Sequence, residues 1–290
     1  MERAWLGWLD DVGATQSTLV ATVDGVRNIL SHGIDPHTPV PIASMSKAIT
    51  AACLRNVIDE HDSLTFNSPL SDVMTLAGQH SNTRLISLKQ FVQHTSGLDQ
   101  DETQANVWNY VAGTLPTTDE VVARALARAP GETSAFFYNN ENYEVLAKAI
   151  ETLTGQNYFD ACLDRVLRPL GIETAGPDND WGALAGAGGW AITAPDYAKF
   201  FEWHVRMAND DVTPIGGGAF YGDGVFVRPV ETGANVWHFG AVCLRGLRDS
   251  GAFSVVMSTG EAMTITYDIC PNREQALALQ RQLIPLLTVH

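Results

Sequence analysis

The fold of this chain is inferred outward from one stretch, Pro41-Ile42-Ala43-Ser44-Met45-Ser46-Lys47-Ala48-Ile49-Thr50. The residues from 44 to about 59 include good helix formers and contain neither Pro nor Gly, so a helix is predicted to begin at or next to Ser44. Because residues three apart on a helix lie one turn apart on the same face, Ser44 and Lys47 are predicted to be neighbours.

Antiparallel strands are predicted near both ends of the chain. Within residues 18–30, β-branched residues flank an Asp24-Gly25 pair, which is a strong hairpin signal. Further strands, separated by Gly, Asp and Asn, are predicted at 225–230, 236–239, 253–257 and 263–267. The two groups are expected to build one sheet.

Helices are predicted between and after these strands. Residues 118–129 and 142–153 show helical patterns inside a mostly helical middle, and further helices are predicted at 194–207 and 273–287. The predicted fold class is α/β (α+β): an antiparallel sheet flanked by helices, with an inserted all-helical region. The predicted domains are 1–62 with 185–290 for the sheet domain, and 63–184 for the all-helical domain.

Composition narrows the possible partners. The 290 residues carry a formal charge of -15, which argues against binding nucleic acid or an anionic membrane surface. No run of 18 apolar residues occurs, and the first residues lack a signal-peptide pattern, so no membrane span is predicted. The chain as given is expected to be soluble and cytoplasmic, or periplasmic or secreted if a signal peptide was removed; the compartment is left open, as is the oligomeric state.

The four cysteines, Cys53, Cys162, Cys243 and Cys270, are widely scattered and form no Cys-x-x-Cys pair. With no neighbouring His to complete a ligand set, no metal site and no cofactor are predicted. Free buried thiols are the expectation. Cys243 and Cys270 could pair in an oxidising compartment.

The predicted Ser44–Lys47 pair has a chemical use. A serine hydroxyl is a poor nucleophile until a base removes its proton, and lysine can be that base only when burial or nearby cations lower its pKa. The N–H groups at a helix start also favour developing negative charge. The alternative interpretation is a helix N-cap serine beside a solvated lysine.

Several motifs in one order support the chemical interpretation. Together they resemble the serine beta-lactamase and penicillin-binding-protein superfamily, particularly its class C, family VIII esterase and D-stereospecific peptidase branch. Besides residues 41–50, the matching segments are Gln93-His94-Thr95-Ser96-Gly97-Leu98, Phe137-Tyr138-Asn139-Asn140-Glu141-Asn142-Tyr143, Arg168-Pro169-Leu170-Gly171-Ile172 and the segment that runs from Gly188 to Phe200.

The resemblance implies a role for each matching residue. Ser44 would be the acylated nucleophile, Lys47 its base or proton shuttle, and Tyr138 a group that passes protons to the leaving group and activates the deacylating water. Asn140 would bind the substrate carbonyl or amide and orient Lys47. A core or surface tyrosine and a turn asparagine are the alternatives for the last two.

The third motif of the family is the least clear. It is assigned to His238-Phe239-Gly240, where Gly240 would let substrate approach the backbone and the Ala241 N–H would form an oxyanion hole with that of Ser44. His238, Gly240 and Ala241 are thus predicted to bind substrate. Ser258-Thr259-Gly260 is a competing match that falls one strand late. His94 and Ser96 are interpreted as a structural turn, because no Gly-x-Ser-x-Gly elbow surrounds Ser96.

The predicted function is therefore that of a serine hydrolase acting through an acyl-enzyme on a small-molecule ester, amide or beta-lactam. The alternatives are a D-aminopeptidase or carboxypeptidase, and a catalytically silent protein that binds peptidoglycan or a partner. Two departures bear on substrate. Arg245, Arg248 and Asp249 stand where many relatives have a Gly-rich turn, and no Glu matches the deacylating residue of class A enzymes, so efficient beta-lactam turnover is not expected.

Overall fold

The computed structural model describes residues 1–105, 116–178, 184–207, 211–243 and 249–288. Eight strands form one antiparallel sheet in the order β2-β1-β11-β10-β9-β8-β7-β6, and three short strands form a second sheet in the order β3-β5-β4. The strands are β1 (Ser17–Val23), β2 (Val26–His32), β3 (Val40–Pro41), β4 (Gly176–Pro177), β5 (Trp190–Ile192), β6 (Thr213–Gly216), β7 (Ala219–Gly222), β8 (Val225–Val230), β9 (Gly233–Val242), β10 (Ser250–Val256) and β11 (Ala262–Tyr267).

Helices cover both faces of the large sheet. Others lie, in the order of the sequence, between its N-terminal and C-terminal strands. Ten α-helices fall within the described ranges: α1 (Glu2–Val12), α2 (Ser46–Asp59), α3 (Leu88–Val92), α4 (Glu102–Ala105), α5 (Thr118–Ala127), α6 (Asn140–Thr154), α7 (Tyr158–Cys162), α8 (Ala185–Gly188), α9 (Ala194–Met207) and α10 (Arg273–Leu283).

Local sequence explains the first hairpin. Asp24 and Gly25 adopt φ angles of 52° and 75°, which a two-residue hairpin turn requires and which these residue types tolerate. The turn sets Val23 opposite Val26, and β1 then pairs with β11 from the other end of the chain. The predicted single sheet built from both termini is therefore present.

One face of the large sheet is covered by α1 and α10. Their buried side chains pack on the strand residues that point to the same side, in a cluster that includes Trp5, Trp8, Leu19, Phe253, Ile265, Leu279 and Leu283. Burial of this apolar area stabilises the sheet by roughly 25 cal/mol per Å² removed from water. The helix over residues 2–12 was not predicted from the sequence.

The other face carries α9 and, beyond it, α2. Helix α2 is buried nearly all round, which is typical of a helix with apolar residues on every side; it lies between the sheet and the helical middle. The predicted fold class, antiparallel sheet with flanking helices and a helical insertion, is confirmed. The division into 1–62 with 185–290 and 63–184 stays a prediction.

The expectation of free cysteines is wrong. Cys53 is bonded to Cys162, and Cys243 to Cys270, so all four cysteines, each within the described ranges, are paired. The first bond joins α2 to α7 across 109 residues of sequence, a separation that gives no local signal. The second pair is the one that the sequence raised as a possibility.

Within the described ranges, the structure contains no helix that combines the length and the apolar character needed to cross a bilayer.

Candidate active site

Ser44 lies on a short 3-10 turn, Ala43–Met45, which leads directly into α2. The turn begins with Ala43 at a φ of 45°, a left-handed conformation that is unusual for a residue with a side chain. Two long-range bonds hold it: the Tyr197 hydroxyl donates to the Met45 carbonyl at 2.9 Å, and the Trp190 N–H donates to Ser46 Oγ at 3.2 Å. The nucleophile candidate is therefore fixed from outside its own helix.

Lys47 is fully buried, one helical turn after Ser44. Its Nζ donates to Ser44 Oγ at 3.1 Å, to Asn140 Oδ1 at 2.8 Å and to the Ala187 carbonyl at 2.8 Å. A neutral amine has only two N–H groups, and the amide and carbonyl oxygens can take both. The lone pair would then face the Ser44 hydroxyl, which is the geometry a general base needs.

Burial lowers the pKa of Lys47 from its usual 10.5 to about 7. The negative charges of Asp101 and Glu144 oppose this change and keep the pKa from falling further. Since a pKa near the working pH gives a base that is both neutral and strong enough to take a proton, the lysine is chemically suited to activate Ser44.

Tyr138 faces the same amine, with its ring centroid 4.9 Å from Lys47 Nζ. Burial raises the pKa of Tyr138 far above its usual value, and the influence of the Ser44 hydroxyl only partly offsets that rise. The phenol is therefore protonated at neutral pH and can donate a proton or a hydrogen bond in the resting site.

Asn140 sits at the first turn of α6, and both ends of its amide are occupied. Its Oδ1 accepts from Lys47, while its Nδ2 donates to Thr103 Oγ1 at 3.1 Å and its backbone N–H to Asp101 Oδ2 at 2.9 Å. The structure thus brings Asn140 to Lys47, and its role in binding substrate stays a prediction. A bond from its amide to substrate requires the contact with Thr103 to be exchanged.

Strand β9 packs against the Ser44 turn at Gly240. A Cβ atom at this position would lie 2.1 Å from the Ile42 carbonyl oxygen and 3.1 Å from the Ser44 nitrogen. The glycine was expected to allow close approach of substrate; the close neighbour is instead the chain's own backbone. Ala241, the next residue, lines the same cavity as Ser44.

The cavity in front of Ser44 has a volume of about 570 Å³. Four aromatic residues form much of its wall: Phe136, Tyr138, Phe226 and Phe239. Among the described residues that line it, none has a charged side chain. The cavity therefore suits an apolar group attached to the reacting carbonyl.

The structure does not bring the His238 side chain to this cavity. His238 is fully buried, with Nδ1 near the Phe239 carbonyl at 2.7 Å and its ring 5.2 Å from that of Phe226. Burial and the charge of Lys47 lower the pKa of His238 to about 3, so the ring is neutral. Its role in substrate binding stays a prediction, and its buried position does not favour direct contact.

The competing third motif lies elsewhere. Ser258 belongs to the turn between β10 and β11, and its N–H donates to Asn235 Oδ1 at 3.0 Å. Asn235 is five residues along β9 from Gly240, roughly 17 Å in an extended strand. Ser258-Thr259-Gly260 is therefore remote from Ser44.

His94 and Ser96 form a buried support for Tyr138, consistent with the structural interpretation. The His94 ring lies 4.5 Å from the Tyr138 ring, and its Nδ1 accepts the Asn139 N–H at 3.2 Å. Ser96 Oγ donates to Asn142 Oδ1 at 2.5 Å. Burial holds the pKa of His94 well below its usual value, so this ring is also neutral.

Three groups near Lys47 escaped the sequence analysis: Asp101, Glu144 and the backbone of Ala187. Glu144 follows Asn140 by four residues and so shares its helix face, a spacing that could have identified it. Asp101 and Ala187 have no comparable signal, because they reach the site from separate loops and helices. Two other residues singled out from the sequence, Arg245 and Arg248, lie outside the described ranges.

Within the residues that the structure describes, no cluster of three or more His, Cys, Asp or Glu side chains could hold a metal ion.

Comparison with known proteins gives a consistent result. The family model described as Beta-lactamase matches residues 10–264. Teichoic acid D-alanine hydrolase of Staphylococcus aureus is 28% identical over 140 residues, which are 48% of this chain and 32% of that protein. The chain covers less than half of each of the first curated relatives that it matches.

Two solved structures show the same fold. A class C beta-lactamase from Rhodobacter sphaeroides superposes with a TM-score of 0.79 at 13% identity, covering 99% of each chain. The D-amino acid amidase of Ochrobactrum anthropi SV3, in complex with L-phenylalanine amide, has a TM-score of 0.78 at 16% identity over 98% of each chain. Because the family match extends over most of the sequence and the neighbouring structures share its architecture, this chain belongs to the beta-lactamase family.

Proposed function

We propose that this chain is a serine hydrolase that works through a covalent acyl-enzyme. The Ser44 hydroxyl attacks the carbonyl carbon of an ester, amide or lactam, the leaving group departs with a proton, and water then releases the acyl group. The observation that carries the proposal is the 3.1 Å contact between Ser44 Oγ and the amine of a fully buried Lys47.

In this reaction Lys47 is the base. With a pKa of about 7, the amine is substantially neutral at neutral pH, and its two oxygen acceptors orient the lone pair toward Ser44. The proton that Lys47 takes from Ser44 leaves with the departing alcohol or amine, through Tyr138, whose phenol is protonated at that pH.

The developing negative charge on the carbonyl oxygen needs hydrogen-bond donors. The N–H groups of Ser44 and Ala241 are proposed to supply them, which is consistent with the contact between Gly240 and the Ser44 turn. Removal of one such donor costs about 10² to 10³ in rate in other hydrolases.

The aromatic wall of the cavity favours neutral substrates with an apolar acyl group. Short-chain and aromatic esters are therefore expected to react faster than a chromogenic cephalosporin or peptides that end in D-Ala.

The proposal is tested by intact-mass spectrometry after treatment with a fluorophosphonate. Wild type should gain one adduct, mapped to Ser44, whereas Ser44→Ala and Lys47→Ala should lose at least about 10³-fold in labelling rate. Ser258→Ala is the control, since its hydroxyl lies far from the site, and should label at the wild-type rate. The rate of p-nitrophenyl ester hydrolysis should rise through about pH 7 as Lys47 loses its proton.

If Lys47→Ala keeps the wild-type rate, Lys47 is not the base. If several acylating probes fail to modify wild type, the covalent mechanism is wrong, and a binding protein of the same fold becomes the better interpretation.

A further inference from the structure

Glu144 is a buried carboxylic acid that the proposed reaction does not use. It lies on α6, is fully buried, and its Oε1 accepts the Ala187 N–H at 3.0 Å. Its other oxygen, Oε2, has no hydrogen-bond partner among the described residues. A buried carboxyl with an unbonded oxygen costs stability, so its presence calls for a reason other than packing.

The carboxyl acts on the site through Ala187. The same residue whose N–H donates to Glu144 also offers its carbonyl to Lys47 Nζ at 2.8 Å. Helix α6 therefore holds the lysine twice: directly through Asn140, and one turn later through Glu144 and the backbone of α8. If Ala187 moves, one of the two acceptors that orient the amine moves with it.

The titratable neighbours of Glu144 bear on whether its carboxyl is charged. Titratable groups from three other elements face Glu144: Lys47 on α2, Asp101 just ahead of α4, and Tyr158 on α7. Lys47 in turn faces Asp101 and the neutral rings of His94 and His238. Burial raises the pKa of Glu144 to about 8, while the hydrogen bond from the Ala187 N–H and the charge of Lys47 oppose the rise.

We propose that Glu144 is a positioning residue that fixes the Ala187 carbonyl against Lys47 by holding the Ala187 N–H. The inference rests on the proposed function, because it assigns Glu144 to the same Ser44–Lys47 pair. Glu144 does not touch substrate in this arrangement. With a pKa of about 8, the carboxyl is mostly uncharged at the pH near 7 where Lys47 titrates, so it acts there through its hydrogen bond to Ala187.

Two substitutions test this role. Glu144→Gln keeps an oxygen for the Ala187 N–H but removes the charge, whereas Glu144→Met has similar length and removes both. Ile150→Ala is the matched control, because Ile150 is a buried residue of the same helix and touches the core rather than the site. Labelling of Ser44 by a fluorophosphonate is followed from pH 5 to pH 10, together with the melting temperature.

For Glu144→Gln, the rate and the midpoint of the pH–rate curve should stay close to those of wild type, since the amide keeps an oxygen for the Ala187 N–H and resembles the uncharged acid. For Glu144→Met, the rate should fall about tenfold or more at every pH. Glu144→Met leaves the buried Ala187 N–H without its acceptor and should melt below wild type, whereas Glu144→Gln keeps that acceptor and should melt close to wild type. Ile150→Ala should lower the melting temperature and leave the midpoint unchanged.

A Glu144→Met rate within twofold of wild type overturns the positioning role, and so does a Glu144→Gln rate that falls as far as that of Glu144→Met. If Glu144→Met does not fold, Glu144 is structural and the positioning role is wrong. Absence of labelling in wild type itself would instead be the failure of the proposed function, so the two failures are distinguishable.

Discussion

Replacing Gly240 with Ala is expected to slow acylation of Ser44 by about 100-fold while the protein stays folded. The added Cβ would lie 2.1 Å from the Ile42 carbonyl oxygen, whereas ordinary contact between such atoms begins near 3.5 Å. Strand β9 and the Ser44 turn would therefore have to separate by more than ~1 Å. A displacement of that size between reacting groups typically costs about 10²-fold in rate.

The assay is a direct comparison of Ser44 labelling rate, p-nitrophenyl ester hydrolysis and melting temperature. Because β9 remains paired with β8 and β10, the variant should retain the far-ultraviolet circular dichroism of wild type. Gly7→Ala is the control: Gly7 lies on α1, and an added Cβ there has no neighbour within 4 Å. Helix propensity predicts an equal or slightly higher melting temperature for it.

The reasoning fails if Gly240→Ala folds and acylates within threefold of wild type. Such a result would mean that the contact between β9 and the nucleophile turn does not set the position of the reacting groups. A loss of melting temperature without a loss of rate would lead to the same conclusion, since the strain would then be relieved away from Ser44.

Two further predictions concern stability. His204 and His238 are buried, and their pKa values of about 4 and about 3 lie below the usual 6.5. The unfolded chain therefore binds more protons than the folded chain, and the stability of the protein should fall as pH drops below about 6.5. The fall should be shallower in His204→Gln, and equal slopes in chemical denaturation from pH 7 to pH 4 would contradict this. Loss of the disulfide Cys53–Cys162 should lower the free energy of unfolding more than loss of Cys243–Cys270. The two bonds close loops across sequence separations of 109 and 27 residues, and the difference in chain entropy corresponds to about 1 kcal/mol. Denaturation of the two double Cys→Ser variants measures it, and the reverse order would refute the entropic argument.

Much of the fold was predictable because its signals are local. The Asp24-Gly25 turn, the Gly- and Pro-free run after Ser44 and the strand signals of 225–230 and 263–267 each depend on neighbouring residues. Helix α2 begins two residues after Ser44, since a 3-10 turn precedes it. Strands β6 and β7 were not separately predicted, because they are short and their glycines favour turns as well as strands.

The candidate site was predictable only in part. Ser44 and Lys47 are linked by helical spacing, and Tyr138 and Asn140 were identified by resemblance to a family. The groups that set the chemistry of Lys47 come from farther away: Glu144 acts through a backbone contact, and its partner Ala187 is 140 residues from the lysine. No periodicity or spacing encodes such a contact, because it exists only once the helices have packed.

The carbonyl of Ala187 belongs to the main chain, and this limits what side-chain replacement can reveal about the site. An alanine scan leaves that oxygen untouched and would pass over residue 187 as silent. The neighbouring glycine tells more, because a Cβ at Gly186 would lie 2.1 Å from the Tyr143 carbonyl oxygen. In this segment the site depends on backbone groups and on a glycine whose lack of a side chain lets the backbones approach. A search for reactive side chains alone would overlook it.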